Sequence, residues 1–200
     1  GWGRAAQEAG AAALARALPL ARGDQAALAD ALVASDRAIT AIGAKPSLGA
    51  ATAIALRLRD GALESAHVGG DRLYAVRDGA ADQLTSDHTL AFDQLRRQGK
   101  QARESRPDID ALPESVRAGF TKLLGTGHVA PDLARHPLSC DEWLVVLSHD
   151  VALSIGEVRL QQLLDTTPSS ARELAERLVV EAHRRRPAAF AAAAVLGPAR

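Results

Sequence analysis

Residues Thr52 to Leu84 read TAIALRLRDGALESAHVGGDRLYAVRDGAADQL and carry the strongest structural signal in the chain. Over residues 52–58, apolar side chains alternate with small or charged ones, which is the period of a β-strand. Two Asp-Gly pairs and one Gly-Gly pair divide the remainder into short segments of strand composition, and Asp-Gly favours a two-residue hairpin turn. We therefore predict an antiparallel meander of four consecutive strands, at 52–58, 62–68, 72–77 and 81–84.

Helical patterns lie on both sides of these strands. Strong helix formers fill 4–18, and a second helix with Asp24 as its N-cap is predicted to run to about Ile42. The order of elements favours an α+β domain in which helices pack outside antiparallel sheets. A chain of 200 residues, 47% of them apolar, suits a single domain over 1–200. The other predicted elements are helices at 89–98, 156–165 and 169–184, and strands at 143–148 and 190–196.

Composition narrows the possible classes of partner and of site. Basic and acidic residues number 24 each, so the formal net charge is +0 and no overall field draws the chain to nucleic acid or to an anionic membrane. Cys140 is the only cysteine, which excludes an internal disulfide and a cysteine-based structural zinc site. No targeting or membrane segment is visible. We expect a cytoplasmic protein with neither a nucleic-acid nor a membrane partner.

Short motifs follow one another in a specific order and spacing. Together they resemble the metal-dependent protein phosphatases of type 2C, the PPM family, over nearly the whole chain. This resemblance implies two stacked antiparallel β-sheets flanked by pairs of helices. Gly1 to Arg4 resembles the end of the family's D-G-M-G-G motif, so we expect its aspartate and the family's N-terminal strands to precede Gly1. The other motifs are GAAT at 49–52, VGGDR at 68–72, RDG at 77–79, DH at 87–88, LLG at 123–125 and the stretch 141–150.

The same resemblance locates the metal site and the positions at which this chain lacks a metal-binding aspartate. In the family, aspartates hold two divalent cations that activate a water for attack on phosphorus. The aspartate of V-G-D-S-R corresponds to Gly70, that of S-D-G to His149, and that of the terminal D-N to Ala188. Glycine and alanine offer no side-chain ligand, and imidazole suits softer metals than Mg²⁺ or Mn²⁺. We expect no metal cofactor and no catalytic residue, and hence a pseudophosphatase.

Two neighbouring aspartates support an alternative. Asp71 and Asp150 each follow a vacated position by one residue, and they are the candidate ligands for Mn²⁺ or Mg²⁺ if the chain is an active phosphatase with a rearranged site. On an extended strand, a shift of one residue turns the side chain to the opposite face, so this rescue requires a bulge or a turn. His149 is interpreted as a polar residue tolerated after catalysis was lost, with a replacement metal or phosphate ligand as the other interpretation.

Other polar residues favour structural roles. Asp87 and His88 are predicted to fix a loop rather than to act as a catalytic pair, and His128 and His136 to lie on a surface loop. Residues 125–127 are predicted to form a turn. Three functions follow as hypotheses: a pseudophosphatase that binds a protein or phosphoprotein partner in signalling, an active serine/threonine phosphatase, and a purely structural or sensory module.

Overall fold

The computed structural model describes residues 2–20, 23, 25–42, 50–97, 116, 119–165, 170–187 and 191–197. Its Cα framework divides into two compact units. The first unit comprises the described residues up to 69 together with 88–90 and 119–137, and the second comprises the others. The single domain expected over 1–200 stays a prediction.

The described helices and strands alternate in short blocks along the chain. None of the helices in the described ranges combines the length and the apolar character that crossing a membrane would require. In chain order the elements are α1 (Trp2–Ala17), a 3-10 turn (Leu18–Leu20), α2 (Ala26–Ala41), β1 (Ala53–Arg59), β2 (Ala62–Val68), β3 (Arg72–Arg77), β4 (Ala80–Gln83), α3 (Leu90–Arg97), β5 (Asp132–Pro137), β6 (Trp143–Leu147), α4 (His149–Ile155), α5 (Glu157–Leu164), α6 (Ala171–Arg185) and β7 (Ala193–Leu196).

The first unit packs α2 on a three-stranded antiparallel sheet in the order β1-β2-β5, and α1 packs on α2. Ala55 and Ala66 are almost fully buried, and they share an apolar cluster with leucines of α2. Small side chains on the sheet let the helix approach closely, and burying one leucine contributes about 1.5–3 kcal/mol. Leu28 and Leu32 of α2 are 1% and 0% exposed, so the face of α2 that carries them closes this core.

The second unit contains a four-stranded antiparallel sheet in the order β4-β3-β6-β7. Tyr74 and Val145, on adjacent strands of this sheet, are fully buried in a cluster that includes residues of α4, α5 and α6. Ser170 caps α6 because its side chain accepts the backbone N–H of Glu173 at 3.1 Å. A cap of this kind satisfies one of the backbone donors that a helix start leaves unpaired.

The two Asp-Gly pairs form hairpin turns, as predicted. Asp60 and Gly61 have φ values of 50° and 68°, and Asp78 and Gly79 have φ values of 52° and 75°. Positive φ at both turn residues matches the right-handed twist of the strands that the turn joins. The turns therefore connect β1 to β2 and β3 to β4 in antiparallel pairs.

The predicted four-stranded meander is wrong, because β2 and β3 belong to different sheets. Strand β2 pairs with β1 and β5, whereas β3 pairs with β4 and β6. The break falls at Gly69, whose φ is 111° and whose added Cβ would lie 2.2 Å from Cγ2 of Thr52. Only glycine fits this conformation and this space, so the Gly-Gly pair ends one sheet rather than forming a hairpin.

Two elements were not predicted. Strand β5 has the sequence DLARHP and is mostly exposed, so it lacks the apolar alternation that identifies a half-buried strand. Its strand conformation comes instead from its register with β2. Helix α4 spans only seven residues directly after β6, and such a short helix depends on tertiary packing more than on its own propensity.

Candidate functional site

The candidate site lies in the second unit, where β6 ends and α4 begins. Ser148 is the N-cap of α4, and its Oγ accepts the backbone N–H of Ala192 at 3.2 Å. The backbone N–H of His149 donates to Oδ1 of Asp71 at 3.0 Å. A helix start leaves several backbone donors unpaired, and a carboxylate is the acceptor that best complements them. Asp71 therefore anchors the first residue of α4.

Gly70 and His149 share one space. A Cβ added to Gly70 would lie 2.3 Å from Nδ1 of His149 and 3.0 Å from its Cγ and Cε1. Gly70 is not among the glycines with positive φ, so lack of space, and not backbone conformation, selects glycine here. His149 is 9% exposed, and its imidazole occupies the space that a side chain at position 70 would need.

The ring of His149 is oriented by the backbone of Gly70. Nδ1 lies 3.3 Å from the Gly70 carbonyl oxygen, and because a carbonyl oxygen only accepts, the contact requires the hydrogen on Nδ1. Burial lowers the pKa of His149 below its usual value, against the opposing influence of Asp87, the Gly70 carbonyl and Asp150. The ring is therefore neutral near pH 7.

The residues at this site do not fit a pair of hard divalent cations. Such ions need several oxygen ligands, and within the described part of the chain no three His, Cys, Asp or Glu side chains are placed to hold a metal ion together. Gly70 has no side-chain ligand atom, and His149 supplies a nitrogen. Ala188, the third position assigned by the resemblance, lies outside the described residues.

The backbone at Asp71 and Asp150 differs from the extended strand that the sequence predicted there. Asp150 lies in the first turn of α4, where successive side chains are rotated by about 100° rather than reversed. Asp71 precedes β3 and is not part of the strand. The argument from strand alternation is therefore wrong at both positions. Whether Asp71 or Asp150 binds a metal stays a prediction, and Asp71 already serves α4.

A buried ion-pair network lies beside the candidate site. Nη2 and Nε of Arg72 contact the carboxylate of Asp87 at 2.7 and 3.0 Å. Nη1 lies 3.3 Å from the Tyr74 hydroxyl and 3.2 Å from Oε2 of Glu157. Burial alone would lower the pKa of Arg72, yet the contacts with Tyr74 and Asp87 outweigh it and raise that pKa well above its usual range. Burial also raises the pKa of Tyr74 to about 12, so its hydroxyl is neutral.

Arg72 was not singled out from the sequence, although it closes the VGGDR motif. The apolar residues that follow Arg72 predicted a strand. A charged residue at the start of that strand is the signal that could have marked Arg72 as part of a buried ion pair. Its partner Asp87 is 15 positions away in sequence. Asp87 therefore neutralises a buried cation, which is a structural role.

His88 belongs to a separate polar cluster in the first unit. The backbone N–H of Gly69 donates to Nδ1 of His88 at 3.0 Å, which leaves the ring hydrogen on Nε2. Nε2 lies 3.0 Å from Oδ2 of Asp132, and Asp132 also pairs with Lys122. The ring stacks on His67 with centroids 4.7 Å apart. Partial burial opposes ionisation of Asp132, but hydrogen bonds from Lys122 and His88 outweigh it and lower its pKa.

Asp36 holds the turn at 125–127 in place. Its Oδ1 accepts the backbone N–H groups of Gly125, Thr126 and Gly127 at 2.7, 3.0 and 3.2 Å. Asp36 is 2% exposed and lies on α2. The predicted turn is therefore a loop bound to a buried carboxylate, a role that the sequence did not indicate.

The two histidines expected on a surface loop have different positions. His128 is exposed. His136 is half-buried in β5, opposite Leu63 of β2. The loop assignment of His136 is wrong because β5 was not predicted.

Comparison with known proteins identifies the fold. No protein-family model matches the chain, and no curated protein matches it by sequence. Among solved structures, the PPM serine/threonine phosphatase MsPP of Mycobacterium smegmatis is 21% identical, with a TM-score of 0.80 over 96% of this chain and 81% of its own. The serine/threonine phosphatase PstP of Mycobacterium tuberculosis is 24% identical, with a TM-score of 0.79 over 99% and 85%.

A third neighbour extends the comparison to another genus. The serine/threonine phosphatase of S. agalactiae is 25% identical, with a TM-score of 0.66 over 84% of this chain and 70% of its own. The PstP catalytic domain has also been solved with two manganese ions. The chain has the fold of the PPM-type phosphatases, and the predicted α+β architecture of two antiparallel sheets flanked by helices is confirmed.

Proposed function

We propose that this chain, which has the fold of the PPM-type serine/threonine phosphatases, is a pseudophosphatase that acts in signalling by binding a protein or phosphoprotein partner. One observation carries the proposal. The imidazole of His149 fills the space that a metal-binding side chain at position 70 would need.

The residues at positions 70 and 149 are linked by their contact, so the two losses of aspartate are considered together. The resemblance assigns a metal-binding aspartate to each of Gly70 and His149, and these residues touch in the structure. An aspartate at position 70 cannot be accommodated while the imidazole of His149 stays where it is, because even its Cβ would lie 2.3 Å from Nδ1. A carboxylate at position 70 therefore requires His149 to change or to move as well.

The environment of Asp71 also supports the proposal. Its Oδ1 accepts the backbone N–H of His149, which gives this carboxylate a structural role at the start of α4 that needs no metal ion. Asp150 is the other candidate ligand of the active alternative. Two carboxylates are fewer than the six or more oxygen ligands that Mg²⁺ takes in proteins, so the active alternative needs waters and further residues to complete the site.

Hydrolysis of p-nitrophenyl phosphate with added Mn²⁺ tests the loss of catalysis. We expect no metal-dependent turnover above the rate with a chelator present. The phosphatase PstP, assayed under the same conditions, verifies the assay. Clear turnover by this chain that needs Mn²⁺ would overturn the pseudophosphatase assignment, and its loss in Asp71→Asn or Asp150→Asn would establish the rearranged metal site.

Calorimetry tests the binding function separately. We titrate the chain with Mn²⁺ and with a phosphoserine peptide, and use the unphosphorylated peptide as the control. The proposal expects heat from the phosphoserine peptide and none from Mn²⁺. A purely structural or sensory module would bind neither, and that result would reject the binding role while leaving the loss of catalysis intact.

The proposed setting is the cytoplasm. Cys140 is the only cysteine, and it is exposed and free. A reducing compartment suits such a thiol, because oxidising compartments favour paired cysteines. Fractionation of the source cells with antibody detection checks this part of the proposal.

A further inference from the structure

Three arginines from two helices converge on one glutamate in the second unit. Glu181 of α6 pairs with Nε of Arg159, on α5, at 3.2 Å. On its own helix it pairs with Nη2 of Arg184 and Nε of Arg185, each at 2.9 Å. Nε of Arg184 reaches the second carboxylate oxygen, also at 2.9 Å. One carboxylate therefore orients three guanidinium groups; we call Arg159, Arg184 and Arg185 the arginine cluster.

The glutamate is largely buried, whereas the arginines are open to solvent. The Glu181 side chain is 10% exposed, and those of Arg159, Arg184 and Arg185 are 40%, 65% and 40% exposed. Hydrogen bonds from Arg184 and Arg185 keep the pKa of Glu181 well below its usual range, so the carboxylate stays ionised. Glu181 therefore orients the arginine cluster from its buried side, and the three guanidinium groups remain accessible to solvent.

The arginine cluster and Glu181 together carry a net positive charge. Three guanidinium groups and one carboxylate leave a net charge of +2. The carboxyl end of α6 offsets about half a charge through its dipole, which leaves a positive excess. The whole chain has a net charge of +0, so this excess is local. Like charges held close together oppose folding, so this arrangement has a cost in stability.

We propose that the arginine cluster is a docking surface for an acidic segment of a protein partner. The guanidinium fork matches the paired oxygens of carboxylates and phosphates. Arginines that are already oriented lose less conformational freedom on binding than free ones. An anionic partner would offset the excess charge that the fold leaves on this surface. The surface is separate from Gly70 and His149, so the proposal does not depend on whether the chain hydrolyses phosphate.

Fluorescence anisotropy with the full chain tests the proposal. The probes are two labelled peptides, one of alternating glutamate and serine and the other with phosphoserine in place of its serines. We expect both to bind, with affinity that falls as salt is added because exposed charges are screened. Stronger binding of the phosphoserine peptide would identify phosphate as the preferred anion, and equal binding would identify carboxylate; either result supports the surface.

A matched pair of variants makes the test specific. Arg184→Gln with Arg185→Gln removes two charges from the arginine cluster, and we expect binding to weaken by about tenfold. Arg96→Gln with Arg97→Gln removes two exposed charges from the last turn of α3, in the same unit, and we expect less than a twofold effect. Circular dichroism verifies that both double variants are folded, and Arg159→Gln provides a single change on the other helix if the first variant is not.

Three results would overturn the proposal. The first is failure of both peptides to bind at low salt. The second is equal weakening by the α3 double variant, because the attraction would then be a property of the whole chain. The third is tighter binding to single-stranded DNA or to anionic vesicles than to the peptides, since the surface would then serve another class of partner.

Discussion

The imidazole of His149 takes the place of a side chain at Gly70, although the two residues are 79 positions apart in sequence. Gly70 does not have the positive φ that selects glycine elsewhere, so its identity depends on His149. In turn His149 is oriented by the Gly70 carbonyl and anchored through its backbone by Asp71. The two positions are coupled, and the coupling can be measured.

Adding a side chain at position 70 is expected to destabilise the fold, and the size of this effect is expected to depend on His149. Gly70→Ala would place a Cβ 2.3 Å from the imidazole, and overpacking of this kind costs about 1–3 kcal/mol. In the background of His149→Ala, the added methyl has room and most of this cost is expected to disappear. Urea denaturation of the wild type, both single variants and the double variant gives the coupling free energy.

Gly61→Ala is the control for this cycle. Position 61 has open space but a φ of 68°, so alanine there is disfavoured by its backbone alone, by about 1–2 kcal/mol. Its cost is expected to be the same with and without His149→Ala. Additive effects of Gly70→Ala and His149→Ala would contradict the shared space.

Removing the partner of the buried Arg72 is expected to be severe. Asp87→Asn leaves a guanidinium that is nearly inaccessible to solvent without its main counter-charge, and breaking a buried ion pair in this way costs about 3–5 kcal/mol. Replacing both residues by apolar ones, as in Arg72→Met with Asp87→Leu, is expected to cost less than the single change. Thermal denaturation followed by circular dichroism measures both.

An exposed pair provides the comparison. Arg172 and Glu176 form an ion pair at 2.8 Å with side chains 87% and 62% exposed, and Glu176→Gln is expected to leave the melting temperature nearly unchanged. A small effect of Asp87→Asn, similar to that of Glu176→Gln, would show that Arg72 does not depend on Asp87.

The turn at 125–127 is expected to loosen when Asp36 is removed. Asp36→Ala takes away the acceptor of three backbone N–H groups, and a hydrogen bond to a buried charged group contributes about 1.5–3 kcal/mol. We expect a loss of at least about that size and faster hydrogen exchange at Gly125, Thr126 and Gly127. Exchange at the amides of β3, in the other unit, serves as the internal control, and unchanged exchange at the turn would contradict the role of Asp36.

The contribution of Glu181 is expected to depend on pH. Its arginine partners lower its pKa in the folded state below the usual value of 4.5, so the stabilisation is full above about that pH. It is lost as the pH falls through the folded-state pKa, because protonation removes the charge that the arginines bind. Glu181→Gln is therefore expected to be less stable than the wild type at pH 7, with a difference that narrows in acid.

The stabilities of the two proteins are compared by denaturation at several pH values between neutral and strongly acid. Glu176→Gln, which removes an exposed carboxylate from the same helix, is expected to show a small and nearly constant difference from the wild type. A constant difference for Glu181→Gln across the same range would mean that ionisation of Glu181 does not contribute to stability.

Much of the local structure could be predicted because its causes are local. Alternation over 52–58 and two Asp-Gly pairs predicted β1 to β4 within one or two residues of their observed bounds. The order and spacing of the motifs also indicated the phosphatase fold that the solved structures confirm. These signals suffice because strand period and turn conformation depend on residues adjacent in sequence.

The pairing of the strands and the chemistry of the site depended on the tertiary structure. The sequence placed β2 and β3 side by side, whereas a crowded Gly69 separates them into different sheets. The sequence identified Gly70 and His149 as lost metal positions, but it did not show that the imidazole of His149 fills the space at Gly70. It also did not show that Glu181 pairs with three arginines from two helices. These contacts join residues far apart in sequence, and no local pattern encodes them, because space and charge around a side chain are set by whichever segments the fold brings beside it.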